Sequence, residues 1–204
     1  MSISPYRTAG VAALVAAAAY LVQPVLVALG AGEESRMGTA AYLAERTWQG
    51  ALGGVVFAAV GIALAVTVRA VAAATGYDGI GSWLGRLSAG AWVAVGGLSL
   101  APYSSVGVGI DELTTDPTLQ RVVAHTVDVV NTGFIAVAAI GFAGWVALLG
   151  AGKVLSRVGV VAALVVVVPI LVWSQPWGVL VMIPYLLVLG VVCLRRARRP
   201  VEVR

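Results

Sequence analysis

Six long runs almost free of charge constrain this chain more than any other feature. They cover about residues 8–29, 49–74, 87–103, 122–150, 158–173 and 177–194. A helix of ~20 apolar residues crosses a hydrocarbon core ~30 Å thick. Of the 204 residues, 60% are hydrophobic and only 11% are charged. A soluble domain of this length cannot hide that much apolar surface. The expected fold is therefore all-α: a polytopic membrane bundle of six transmembrane helices. It forms one domain over residues 1–194, and residues 195–204 follow as a basic tail.

Charge sets the expected direction of threading. Cytoplasmic flanks of spans collect lysine and arginine. With both termini in the cytoplasm, all thirteen basic residues except Arg36, Arg46 and Arg121 fall on that side. All nine acids except Asp78 and Glu202 fall on or toward the other. An odd number of spans would break the pattern. Trp48, Tyr103, Trp173 and Trp177 then stand at the outer interface, where amphipathic rings prefer to lie. The lone Lys153 among arginines, with abundant Ala, Val and Gly, reflects a GC-rich bacterial coding bias. The expected location is the bacterial plasma membrane.

Several classes are disfavoured. The net charge of +4 comes from residues flanking spans, with no basic face or nucleic-acid motif, so nucleic acid is not an expected partner. Cys193 is the single cysteine, which excludes an internal disulfide and a cysteine-built zinc site. Residues 1–7 followed by an apolar run resemble a secretory leader. That run extends over residues 8–32, about twice the usual 7–15-residue signal core, so it reads as a retained first span. In its outer half Gln23 precedes Pro24 and is placed to help satisfy backbone freed by the proline. Residues 75–85, rich in glycine, read as a loop. The tail from Arg195 to Arg199 reads as a topology anchor that holds anionic lipid headgroups.

The most informative stretch is residues 116–150, with the only histidine and an acid well inside an apolar run. Asp116-Pro117 reads as a helix start, aspartate capping free N–H groups and proline losing no bond at the first position. A helix over 117–150 would be ~51 Å long. At about 100° per residue, Arg121, His125, Asp128 and Thr132 fall within about 60° of one another, with Asn131 about 60° off that stripe. Gly133, Gly141 and Gly144 lie roughly opposite, as close packing in lipid requires. Val137 interrupts them, which confines close approach to the inner part. In the second span, Gly50-x-x-x-Gly54 reads as internal packing more readily than as a dimer face.

Arg121, His125, Asp128, Asn131 and Thr132, with Glu45, Arg46 and Gln49 entering from the second span, form the candidate polar cluster. Two readings compete. In the first, favoured reading, the cluster lies at headgroup depth. About 22 residues beyond Asp128 suffice to span the hydrocarbon, and the charged groups tie two helices together. In the second, these groups face a cavity. Ionisable residues within a span cost ~2.5–3.5 kcal/mol and mark function. A histidine three residues from a carboxylate could then share a proton. Zinc wants at least three protein ligands, and a di-metal bundle repeats its motif on two helices. Neither is visible, so no metal and no cofactor are expected. No nucleophile motif or phosphate loop stands out.

The order of features resembles a broad family of bacterial six-span integral membrane proteins of unknown function. The likeness is carried by Arg7-Thr-Ala-Gly10, Gly144-Trp-Val-Ala-Leu-Leu-Gly150 and Leu155-Ser-Arg-Val-Gly159. That family typically has a proline in the turn before the fifth span, where this chain has Ser156. The resemblance implies six spans and no activity. Three functions remain open. The first is a non-enzymatic accessory, regulatory or scaffold protein, with a membrane-protein partner or a second copy. The second is a small transporter using His125 and Asp128 as a proton-sensitive pair. The third is an intramembrane enzyme acting on lipid or isoprenoid, with Asp128 or Glu45 as acid and His125 as base.

Overall fold

The structure is a computed structural model that describes residues 4–30, 40–100, 115–151 and 182–198. These residues are all-helical, with no strand among them. The helices are α1 (Pro5–Gly30), α2 (Ala40–Thr75), α3 (Ile80–Leu100), α4 (Pro117–Ala151) and α5 (Met182–Ala197). Among the described residues, three stretches are long and apolar enough to cross a membrane: Pro5–Leu26, Trp48–Thr75 and Pro117–Leu149. The expected fifth span, the hairpin before the sixth, and the last residues of the tail lie outside the described residues. So do the side chains of Glu45, Arg46 and Asp128.

Local chemistry accounts for the helix ends. Asp116 caps α4: its Oδ1 accepts from Thr118 N at 2.8 Å, and Pro117 occupies the first helical position. Gly76 ends α2 in the left-handed region, φ 69°, and its N–H donates to Ala72 O at 2.9 Å. Only residues 76–79 separate α2 from α3, so the glycine-rich stretch expected as a loop over 75–85 is mostly helix. Gly81 and Gly85 serve packing there. A Cβ on Gly85 would come within 2.7 Å of Val68 and 3.0 Å of Trp145. An Arg86–Asp78 ion pair at 2.8 Å spans the turn. Both side chains are more than half exposed, so it contributes little to stability.

The helices form a closed ring. α1 packs on α2, α2 on α3, α3 on α4, and α5 on α1. Phe142 of α4 meets Tyr185 of α5 edge-to-face at 5.5 Å and completes the circuit. Facing residues show that the pairs of helices are antiparallel, except α4 and α5, which run the same way. Inside, Tyr20, Phe57 and Trp92 bring α1, α2 and α3 together, with Phe57 stacked on Trp92 at 5.3 Å. Trp92, Trp145, Leu64 and Val60 are fully buried.

Glycines set the helix spacing. A Cβ on Gly96 would stand 2.6 Å from both Ala58 N and Gly54 O, and one on Gly54 would stand 3.0 Å from Gly96 O. The two backbones therefore touch, and Gly54 packs internally as expected. Gly10 and Gly190 join α1 to α5 in the same reciprocal way. On α4 the expected glycine stripe divides: Gly141 and Gly144 press on α3 at Leu84 and Ser88, while Gly133 faces open space. The Ser88 hydroxyl donates to Ala138 O across that contact at 2.6 Å.

Gly96→Ala is expected to destabilise the bundle by about 1–3 kcal/mol, because no flexible side chain can give way. Gly97→Ala meets nothing within 4 Å and should be neutral or slightly stabilising, by up to ~1 kcal/mol. Thermal unfolding in detergent micelles compares them. Equal losses would contradict the α2–α3 contact.

Candidate functional site

The first turns of α4 are mostly exposed, with Gln120 buried among them. Arg121, His125 and Thr132 are exposed, and Gln49 on α2 is half-buried. Glu45 and Arg46 belong to the same helix as Gln49. α2 and α4 each pack on α3, from which the heights of these residues can be compared. Gly54 stands opposite Gly96, and Gly141 stands opposite Leu84 and Ser88. Counting along the helices at ~1.5 Å per residue puts His125 within about one turn of Arg46 and Gln49 in height. The bundle thus brings the candidates to one end. They are carried on two helices that flank α3.

Asn131 behaves differently from the rest. Lying off the exposed stripe, it is half-buried and turns toward α3, where its Nδ2 donates to Ser99 Oγ at 3.2 Å. Ser99 in turn donates to Val95 O at 2.8 Å, so its hydroxyl uses its proton on its own helix and a lone pair on Asn131. Asn131 Oδ1 is buried without a hydrogen-bond partner. A buried acceptor left in this way costs ~1–3 kcal/mol.

Residue type alone does not single out Ser99. A signal for it exists in the spacing: Ser88 and Ser99 are about three turns apart, on one face of α3, and both contact α4. Residue order places Gln23 beside the backbone freed by Pro24. Instead, Gln23 Nε2 donates across to Gly53 O on α2 at 3.1 Å. Among the described residues, no three of His, Cys, Asp and Glu group so as to hold a metal. Cys193 is buried among apolar neighbours.

No family model, curated protein or solved structure matches this chain. Its chemistry must therefore be read from the residues themselves. One end of the described part offers exposed cationic and imidazole groups, and an amide–hydroxyl pair joins α4 to α3 just beneath them.

The Asn131–Ser99 contact is expected to give a coupling of about 0.6 kcal/mol, and at most ~1.7, as other interhelical polar pairs do in membranes. A double-mutant cycle with Asn131→Ala and Ser99→Ala, read by unfolding in micelles, measures it. A coupling of zero would mean that the two side chains do not meet.

Proposed function

We propose that this chain is a multi-pass protein of the bacterial plasma membrane that acts by binding, as an accessory, regulatory or scaffold protein. The observation that carries the reading is the filled interior. Trp92, Trp145, Phe142 and Leu64 belong to one buried cluster, with at most 1% of their surface exposed. Two cavities lined by described residues are open to the surroundings, one of them between α1 and α2. A conduit would need polar groups lining a continuous passage. An interior catalytic site would need a pocket with converging acid and base. His125, on which both competing readings depend, is exposed on the outer surface.

Six crossings with both ends in the cytoplasm remain part of this proposal. They are supported by the direction of the helices. α4 and α5 run the same way, so the chain leaves α4 at one end of the bundle and enters α5 at the other. The apolar run 158–173 is the natural crossing between them. Arg7, Arg69, Arg86, Arg195 and Arg196 gather at one end, as a cytoplasmic face requires.

Two measurements test the proposal. In a Cys193→Ala background, Thr115→Cys should react with an impermeant maleimide on intact cells, and Gly79→Cys should react only after permeabilisation. The reverse would invert the topology. Proteoliposomes carrying the purified protein should hold a pH gradient as long as protein-free vesicles. A leak abolished by His125→Ala would overturn the binding role in favour of transport.

A further inference from the structure

At the arginine-rich end, α1 and α2 border an open groove of ≈ 720 Å³. Its walls are apolar: Val11 and Val15 on α1 face Ile62 and Val66 on α2, each between 41% and 60% exposed. Arg7 stands at its mouth. The register of the two helices is fixed elsewhere, by Gln23 against Gly53 and Tyr20 against Phe57. Carried along the antiparallel pair, it sets Val15 level with Ile62, Val11 level with Val66, and Arg7 level with Arg69. Arg69, one turn beyond Val66, lines a second cavity of ≈ 600 Å³ together with Asp78 and Arg86.

The charges at this mouth are unequal in their commitments. Arg86 is held by Asp78. Among the described residues, neither Arg7 nor Arg69 has a carboxylate partner, and both are exposed. From Arg7 to Val15 the groove extends ~12 Å, close to the ~15 Å depth of one leaflet's hydrocarbon. Arg7 thus lines the mouth of an apolar slot about one leaflet deep, and Arg69 stands level with it on the neighbouring helix, neither with a carboxylate partner among the described residues. We infer that this groove is a binding site for an anionic phospholipid of the cytoplasmic leaflet. The lipid phosphate sits between Arg7 and Arg69, which suit phosphate oxygens through planar, forked donors. One acyl chain lies along Val11, Val15, Ile62 and Val66.

The charge favours a lipid over a second copy of the chain. A symmetric pairing through this face would bring the same two arginines of each copy together, and Asp78, the acid that lines the cavity beside Arg69 among the described residues, is already held by Arg86. A zwitterionic lipid fits less well, because its ammonium would approach the two cations.

The inference rests on the membrane reading above, and its test is independent of topology. The full-length protein in detergent is titrated with phosphatidylglycerol or phosphatidylcholine and observed by native mass spectrometry. One phosphatidylglycerol should bind in preference to phosphatidylcholine. Arg7→Gln and Arg69→Gln should each weaken that adduct about fivefold. Arg121→Gln, at the other end, should leave it unchanged. Val15→Trp, which fills the slot and keeps both arginines, should also weaken it. Unchanged unfolding temperatures certify that these variants are folded; if either arginine variant proves unfolded, Arg7→Lys and Arg69→Lys, with reduced affinity but retained charge, replace them. Equal binding of the two lipids, indifference to both arginine substitutions, or equal binding of glycerol 3-phosphate would overturn the site. So would a dimer that Val15→Trp dissolves and added phosphatidylglycerol does not. Failure here with the expected maleimide pattern would refute the lipid site alone.

Discussion

Contact between helix backbones is the constraint on which the rest of this structure depends. Lipid tails are as apolar as leucine, so burying a leucine between helices gains little over leaving it in the bilayer. Association must come from close packing and from polar contacts between helices. At Gly54–Gly96 and Gly10–Gly190 even a methyl group has no room. Dispersion attraction falls steeply with distance, so these crossings allow the larger side chains nearby to interlock. Phe57 stacks on Trp92 within the α2–α3 pair that Gly54 and Gly96 hold together. The aromatic residues fill the ring because the glycines set its width.

Sequence periodicity revealed faces well and neighbours poorly. The start of α4 at Asp116-Pro117, the packing role of Gly54, and the division of the α4 stripe near Val137 all follow from residue type and angle along one helix. Each needs no knowledge of what lies opposite. The partner of Gln23 does need it. A glutamine before a proline has a local use for its amide, and nothing within α1 reveals that Gly53 O lies within reach. The stretch 75–85 failed for a related reason. Glycine reads as a breaker when viewed alone, and Gly81 and Gly85 are there because α3 approaches its neighbours closely. Pairing of Asn131 with Ser99 needed both helices and their register.

The two ends of the bundle differ in how they handle charge. At the arginine-rich end, guanidinium groups flank a groove, and their long stems can cover apolar surface while the heads remain in water. At the histidine end, Arg121 and His125 project from one helix whose other face is committed to α3. The first arrangement builds a concave site from two helices, and the second displays groups on a convex surface. Concavity is what small ligands need, which is why the arginine end carries the more specific reading.

Depth explains the gradient of polarity along α4 under the proposed crossing. Arg86 stands about level with Gly141, through the contact of Gly141 with Leu84 and Ser88. From Gly141 to His125 is ~24 Å along the helix, slightly less than the ~30 Å hydrocarbon. With Arg86 reaching outward at one edge, His125 falls at the other, and Arg121 lies beyond it. Asn131 is ~9 Å deeper than His125. There a polar side chain turned to lipid would be costly, and it is at this depth that α4 turns its amide inward against Ser99. The same helix leaves Arg121 and His125 exposed at the rim and pairs Asn131 below. The sequence spacing of about 60° between the stripe and Asn131 is what permits both.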